Sequence, residues 1–107
     1  MNWKPLTDIS QLDQILEESK NQRVMILKHS TRCSISSMAL NRLERSWEDD
    51  NKVAPYYLDL IKYRPISNAI AEKFGVEHES PQVIVIENGE VAYTASHMGI
   101  NYSSVVA

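Results

Sequence analysis

The chain has 107 residues, with 11 Lys and Arg, 14 Asp and Glu, and a formal net charge of −3. This length favours a single domain over residues 1–107, and the slight acidity without a basic patch argues against a nucleic-acid-binding protein. There is no signal peptide and no apolar run of about 18 residues, so we expect a cytoplasmic protein without a membrane segment.

The first half of the chain alternates between helical and strand-like patterns. "TDISQLDQILEESKNQ" (residues 7–22) has apolar residues at helical spacing. "RVMILKH" (23–29) is a nearly continuous apolar run, which is typical of a strand buried on both faces. A helical pattern follows from Ser34 to about Trp47, and "VAPYYLDL" (53–60) predicts a second strand.

The second half predicts a helix, a hairpin and a short last helix. "PISNAIAEKFG" (65–75) has proline in its first turn and glycine as a stop signal. "QVIVIENGEVAYTAS" (82–96) has two strand-like runs around Asn88-Gly89, a strong hairpin signal, and "GINYSSVVA" (99–107) predicts the last helix. Helical crossovers followed by a hairpin predict an α/β fold, with a mixed central β-sheet flanked by α-helices.

The segment "HSTRCSIS" (29–36) contains the only cysteine of the chain, Cys33, where the predicted strand gives way to a helix. One cysteine excludes an internal disulfide and a four-cysteine metal site. Backbone N–H groups and the dipole at a helix N-terminus stabilise a thiolate, which is the nucleophile of thiol–disulfide exchange. The polar neighbours favour a surface position, so we prefer a reactive thiol to a buried structural one.

Three segments in order, "VMILKHS", "TRCSIS" and "SPQVIVIENGEVAYTASH", resemble thioredoxin-fold proteins and, more closely, the monothiol bacilliredoxins. The resemblance covers nearly the whole chain and implies a thioredoxin-like fold. It implies that Cys33 is the catalytic cysteine, that Ser36 takes the place of a resolving cysteine, and that Ser80 precedes a cis-proline, Pro81. The implied activity removes bacillithiol from S-bacillithiolated proteins, with this low-molecular-weight thiol as co-substrate and no resident cofactor or metal.

The candidates for substrate contact surround the thiol and the proline. They are Thr31, Arg32, Ser34, Ser36, Ser80, Pro81 and His97. The Ser36 hydroxyl could donate to the Cys33 thiolate, or it could only satisfy a backbone group in the first helical turn. His97 could donate a proton or contact the small thiol, or it could be an ordinary polar surface group.

Two positions differ from the residues that the resemblance leads us to expect. Proline often follows the cysteine in this family, whereas Ser34 stands there and keeps an additional N–H near the sulfur. Thioredoxins have a buried proton-shuttling carboxylate on the central strand, whereas Leu27 and Lys28 occupy that region here. Both the missing carboxylate and the missing second cysteine disfavour a dithiol cycle.

Two functions from other classes stay open at this point. The first is a thioredoxin-fold binding module without redox turnover, in which Cys33 only packs. The second is an iron–sulfur-binding protein like the monothiol glutaredoxins, although "CSIS" lacks their glycine after the cysteine. A phosphatase loop is excluded, because Ala39 stands where that motif needs arginine.

Overall fold

A five-stranded mixed sheet with strand order β1-β3-β2-β4-β5 organises the fold, in a computed structural model that describes residues 1–107. The strands are β1 Lys4–Pro5, β2 Arg23–His29, β3 Val53–Asp59, β4 Gln82–Glu87 and β5 Glu90–Ser96. The helices are α1 Gln11–Glu18, α2 Ser34–Ser46, α3 Arg64–Phe74 and α4 Tyr102–Val106, with a 3₁₀ turn over His97–Gly99. β2 pairs in parallel with β3 and antiparallel with β4, which confirms the predicted mixed sheet.

The side chains of β2 alternate between two apolar clusters, one on each face of the sheet. Val24 and Ile26 pack with residues of α1 and α3. Met25 and Leu27 pack with residues of α2 and α4. All four side chains are fully buried, so the prediction of a strand covered on both faces is confirmed.

Residues with a left-handed backbone conformation end α3 and form the predicted hairpin turn. Gly75 has a φ of 64° and donates its N–H to Ala71 O. Asn88 and Gly89 have φ values of 53° and 77°, which suit the tight turn between β4 and β5. This turn docks on the end of α1, because the Asn88 N–H donates to Ser19 O and the Gly89 N–H donates to Ser19 Oγ.

The sequence patterns miss β1, whereas the first helix lies within the segment that has helical spacing. β1 has two residues, too few to show periodicity, and it is defined by pairing with Tyr56 and Tyr57 of β3. The first helix spans Gln11–Glu18 with Ser10 as its N-cap residue, and before it Gln11 Oε1 accepts from the N–H groups of Thr7 and Asp8. No helix has the length and apolar character needed to cross a membrane.

Replacing Gly75 with alanine should lower the free energy of unfolding by about 1 kcal/mol, because alanine is strained at positive φ. No atom lies within 4 Å of the added Cβ, so the backbone conformation alone causes the loss. Gly99 has equally open surroundings without a positive φ, and Gly99→Ala is therefore the matched control. Urea unfolding of both variants measures the difference, and equal losses would contradict this explanation.

Candidate functional site

The candidate site lies at the sheet edge where β2 ends. β2 ends at His29, and Lys28 pairs with Gln82, the first residue of β4. Pro81 precedes Gln82 and therefore lies at the same edge as the loop that follows β2. That loop leads to Cys33, which is the N-cap residue of α2. Two segments far apart in sequence, the one before β4 and the one after β2, thus meet at one edge.

Cys33 is a free, half-buried thiol with its backbone tied into the start of α2. Its N–H donates to Ser30 O at 3.1 Å, and its C=O accepts from the Ser37 N–H at 3.1 Å. Its backbone is extended, with a φ of −113° and a ψ of 121°. The first turn of α2 has no acidic residue, so no carboxylate competes for the positive end of the helix dipole. The Cys33 side chain is therefore partly open to solvent at the start of α2.

Ser36 is fully buried, and its hydroxyl is engaged within the protein. The Oγ atom accepts from the Ser30 N–H at 3.0 Å and lies 2.7 Å from His29 Nδ1. No hydrogen bond joins it to Cys33. The structure differs from both roles considered for this hydroxyl, because the group it satisfies is the Ser30 N–H in the loop after β2 and not a group in the first turn of α2 or the sulfur. Ser36 therefore holds the loop after β2 against α2.

His29 is the buried partner that completes this contact. Its side chain is 4% exposed, and its ring centroid lies 5.6 Å from that of Tyr57. Burial lowers the pKa of His29 below its ordinary value, although Asp59 and Glu44 act in the opposite direction. The neutral ring can accept the Ser36 hydroxyl proton at Nδ1 while the Ser30 N–H donates to the same oxygen. Sequence reasoning did not find this pair, which joins the end of β2 to the first turn of α2.

Ser80 and Pro81 form the other side of the edge. The peptide bond between them is cis. The N–H and C=O of Ser80 enter no hydrogen bond within the protein, and its Oγ is buried without a partner. The C=O of Pro81 accepts from the His97 N–H at 3.1 Å. The Ser80 backbone thus has a free donor and a free acceptor beside the proline.

His97 reaches the site through its backbone. It has a φ of 52°, its side chain is exposed, and its ring makes no hydrogen bond. The 3₁₀ turn that it opens packs against α2. Thr31, Arg32 and Ser34 are also exposed around Cys33, without a side-chain hydrogen bond or ion pair. These side chains are available to a bound molecule.

An apolar patch flanks the polar residues. Three of the four exposed large apolar side chains belong to elements beside the thiol, namely Ile35 and Met38 of α2 and Met98 of the 3₁₀ turn. Helical spacing alone groups Ile35 and Met38 with the buried Ala39 and Leu43, and it did not single them out as surface residues. Exposed apolar groups beside the Cys33 thiol are suited to contact with another protein.

Residues 4–105 match the family described as "Monothiol bacilliredoxin BrxC". The chain belongs to this bacilliredoxin family. A solved structure described as a candidate oxidoreductase with a thioredoxin fold is 38% identical, with a TM-score of 0.78, over 94% of this chain and 88% of that chain. The family resemblance and the thioredoxin-like fold predicted from the motifs are both confirmed, and together they support a thiol redox role for this chain.

Thioredoxins share the fold at much lower identity. Those of Malassezia sympodialis and Fasciola hepatica are 19% and 16% identical to this chain, each with a TM-score of 0.69. The alignments cover 90% and 88% of this chain, and 79% and 86% of the two thioredoxins. Identities this low indicate a shared architecture and not a shared activity.

Ser36→Ala should lower the free energy of unfolding by about 1–3 kcal/mol, because the half-buried Ser30 N–H and the buried His29 imidazole lose their partner. Ser37→Ala is the matched control, since Ser37 lies on the same helical turn and its hydroxyl makes no hydrogen bond. Chemical denaturation of both variants tests the contact. A loss of equal size in Ser37→Ala would point to helix propensity instead.

Proposed function

We propose that this protein is a monothiol oxidoreductase that removes bacillithiol from protein mixed disulfides through Cys33. The observation that carries the proposal is a single free, half-buried cysteine at the N-cap of α2. Family membership supports bacillithiol as the small thiol, and the shared fold supports thiol–disulfide exchange. A reducing, cytoplasmic setting is part of the proposal, because a free reactive thiol persists there.

In the first step, the Cys33 thiolate attacks the bacillithiol sulfur of a protein–bacillithiol disulfide. A new bond forms between Cys33 Sγ and that sulfur, and the bond to the substrate protein breaks. The substrate protein leaves as a thiolate and takes a proton from water. One disulfide replaces another, so this step needs no external oxidant or reductant.

In the second step, another bacillithiol molecule attacks as its thiolate. It bonds to the bacillithiol sulfur held on Cys33, forms bacillithiol disulfide and releases the Cys33 thiolate. Over the cycle the substrate protein is reduced, and two bacillithiol molecules are joined by one disulfide. No second thiol in the enzyme takes part, which agrees with the single cysteine of the chain.

The N-terminal end of α2 would act in both steps. Its free N–H groups and dipole favour negative charge on Cys33, first as the attacking thiolate and then as the leaving group. Ser34 contributes one more N–H than the proline that often stands there in the family. The exposed Thr31, Arg32, Ser34 and His97 are the proposed contacts for the polar small thiol. Ser36 is not among them, because its hydroxyl is buried and engaged.

The substrate protein would meet a different part of the site. The free N–H and C=O of Ser80, beside Pro81, fit an extended segment that adds as a short strand. The exposed Ile35, Met38 and Met98 would contact apolar surface around the mixed disulfide. The proposed partners are therefore S-bacillithiolated proteins that present an accessible segment at the modified cysteine.

The pure protein should take bacillithiol from a model protein that carries it as a mixed disulfide. Intact-protein mass spectrometry should show the adduct on Cys33 and the freed model protein, and Cys33→Ala should show neither. Mixed disulfides of glutathione and coenzyme A, run in parallel, rank the small thiols. Rapid alkylation of Cys33 by iodoacetamide without any transfer would reject the substrate class, and a thiol that resists alkylation would favour a binding module.

Ser36→Cys should convert the single-thiol cycle into a two-thiol cycle. Residues three apart at the start of a helix lie at a Cα separation compatible with a disulfide, so the introduced thiol can attack the adduct on Cys33. Bacillithiol should then be released without added thiol, and the protein should lose two hydrogens. An adduct that persists in Ser36→Cys would show that this inward position holds the second sulfur away from Cys33.

A further inference from the structure

A buried lysine lies on the face of β2 opposite to His29. Lys28 is fully buried, with its Nζ atom 3.2 Å from Ser67 O of α3 and 3.3 Å from His78 Nδ1. None of the ion pairs of the protein includes Lys28. A buried ammonium without a carboxylate is unfavourable for folding. Stability therefore gives no reason for a lysine at this position.

None of the groups that contact Lys28 carries a negative charge. Burial lowers the pKa of His78, and Lys28 and Arg64 lower it further while Glu79 raises it, so the imidazole is neutral. The Ser67 hydroxyl lies 3.3 Å from Nδ1 of His78. Burial also lowers the pKa of Lys28 to about 8, and Arg64 acts in the same direction. The buried charge therefore weakens the fold below about pH 8, and this effect fades as the pH rises toward 10.5.

The contacts of Lys28 lead to the substrate side of the proposed site. Lys28 faces Gln82 across β2 and β4, and Gln82 Nε2 donates to Glu77 O at 2.9 Å. These two facing side chains thus hold the consecutive residues Glu77 and His78. Both belong to the 75–81 segment, which joins α3 to β4 without regular structure and ends at Ser80 and Pro81.

Other unfavourable features collect at the same place. Gln82 Oε1 and Ser80 Oγ are the two buried side-chain atoms of the protein that lack a hydrogen-bond partner. Groups that weaken a fold persist where function requires them, and they cluster at binding and catalytic sites. An unpaired buried cation and two unpaired acceptors along one segment indicate that the position of this segment matters more than its stability.

We propose that Lys28 is a positioning residue that, through His78, fixes the 75–81 segment so that the Ser80 backbone can bind the extended segment of a protein substrate. Cys33 and its helix are held separately, by Ser36 and His29 on the other face of the sheet. Lys28 should therefore affect how substrates bind and leave the intrinsic reactivity of the thiol unchanged. The proposal rests on the proposed function for the identity of the substrate.

Lys28→Met tests this, because methionine keeps most of the length of the side chain and removes its charge and its hydrogen-bond donors. Transfer from an extended peptide–bacillithiol disulfide should fall about tenfold, through a higher KM. Transfer from the small bacillithiol disulfide and alkylation of Cys33 by iodoacetamide should stay within about twofold of wild type. The thermal unfolding midpoint should be unchanged or higher, because a buried unpaired charge is gone.

The pH profile of the wild type gives a second readout. Peptide transfer and alkylation both need the Cys33 thiolate, so their ratio cancels its titration. This ratio should fall as the pH rises through about 8 in the wild type and stay level in Lys28→Met. If Lys28→Met does not fold, His78→Leu removes the acceptor from the other side and should give the same split between peptide and small disulfide.

Three results would overturn the proposal. The first is unchanged peptide transfer in Lys28→Met. The second is an equal loss of peptide transfer, small-disulfide transfer and alkylation in this variant, with a lower unfolding midpoint. The third is a wild-type ratio of peptide transfer to alkylation that does not change with pH. The same peptide carrying an aromatic nitrothiol in place of bacillithiol separates this proposal from the proposed function. If the aromatic disulfide is transferred and the bacillithiol disulfide is not, bacillithiol is rejected as the small thiol of the proposed function. The effect of Lys28→Met on peptide transfer is then measured with the aromatic disulfide.

Discussion

The central strand β2 is covered on both faces, so the two polar residues at its carboxyl end need partners inside the protein. Strand alternation sends Lys28 toward α3 and His29 toward α2. His29 meets Ser36, and Lys28 meets Ser67 and His78. Each contact ties one of the two segments that flank the thiol, the loop after β2 and the segment before β4. The geometry of the site thus depends on how a doubly buried strand satisfies its last two side chains.

The single-thiol chemistry and the inward position of Ser36 are compatible with each other. In a dithiol enzyme, the residue three positions after the nucleophile must bring its sulfur to its partner. A monothiol exchange places no such demand, because the second thiol comes from solution. The position is then free to bond the Ser30 N–H and the His29 ring, and it fixes the loop that carries Cys33.

Local sequence patterns predicted the helices and strands, whereas they did not predict contacts between residues that are distant in sequence. The apolar run of β2 and the Asn88-Gly89 turn carry strong short-range signals, and both are present in the structure. The Ser36 hydroxyl had two possible partners in the sequence, because its direction depends on how α2 packs on β2. The burial of Lys28 did leave a signal, since it directly follows the four apolar residues 24–27 of the predicted buried strand, but its partner His78 is set by the tertiary fold.

The two faces of the sheet differ in how completely their polar groups are satisfied. On the α2 side, Ser36 bonds both His29 and the Ser30 N–H, so the thiol has a well-defined position. On the α3 side, a buried cation has only neutral partners, and Gln82 Oε1 and Ser80 Oγ have none. Under the proposed function, the small thiol is constant while the protein substrates vary. A fixed nucleophile beside a segment that Lys28 and Gln82 position at some cost in stability suits such a division of partners.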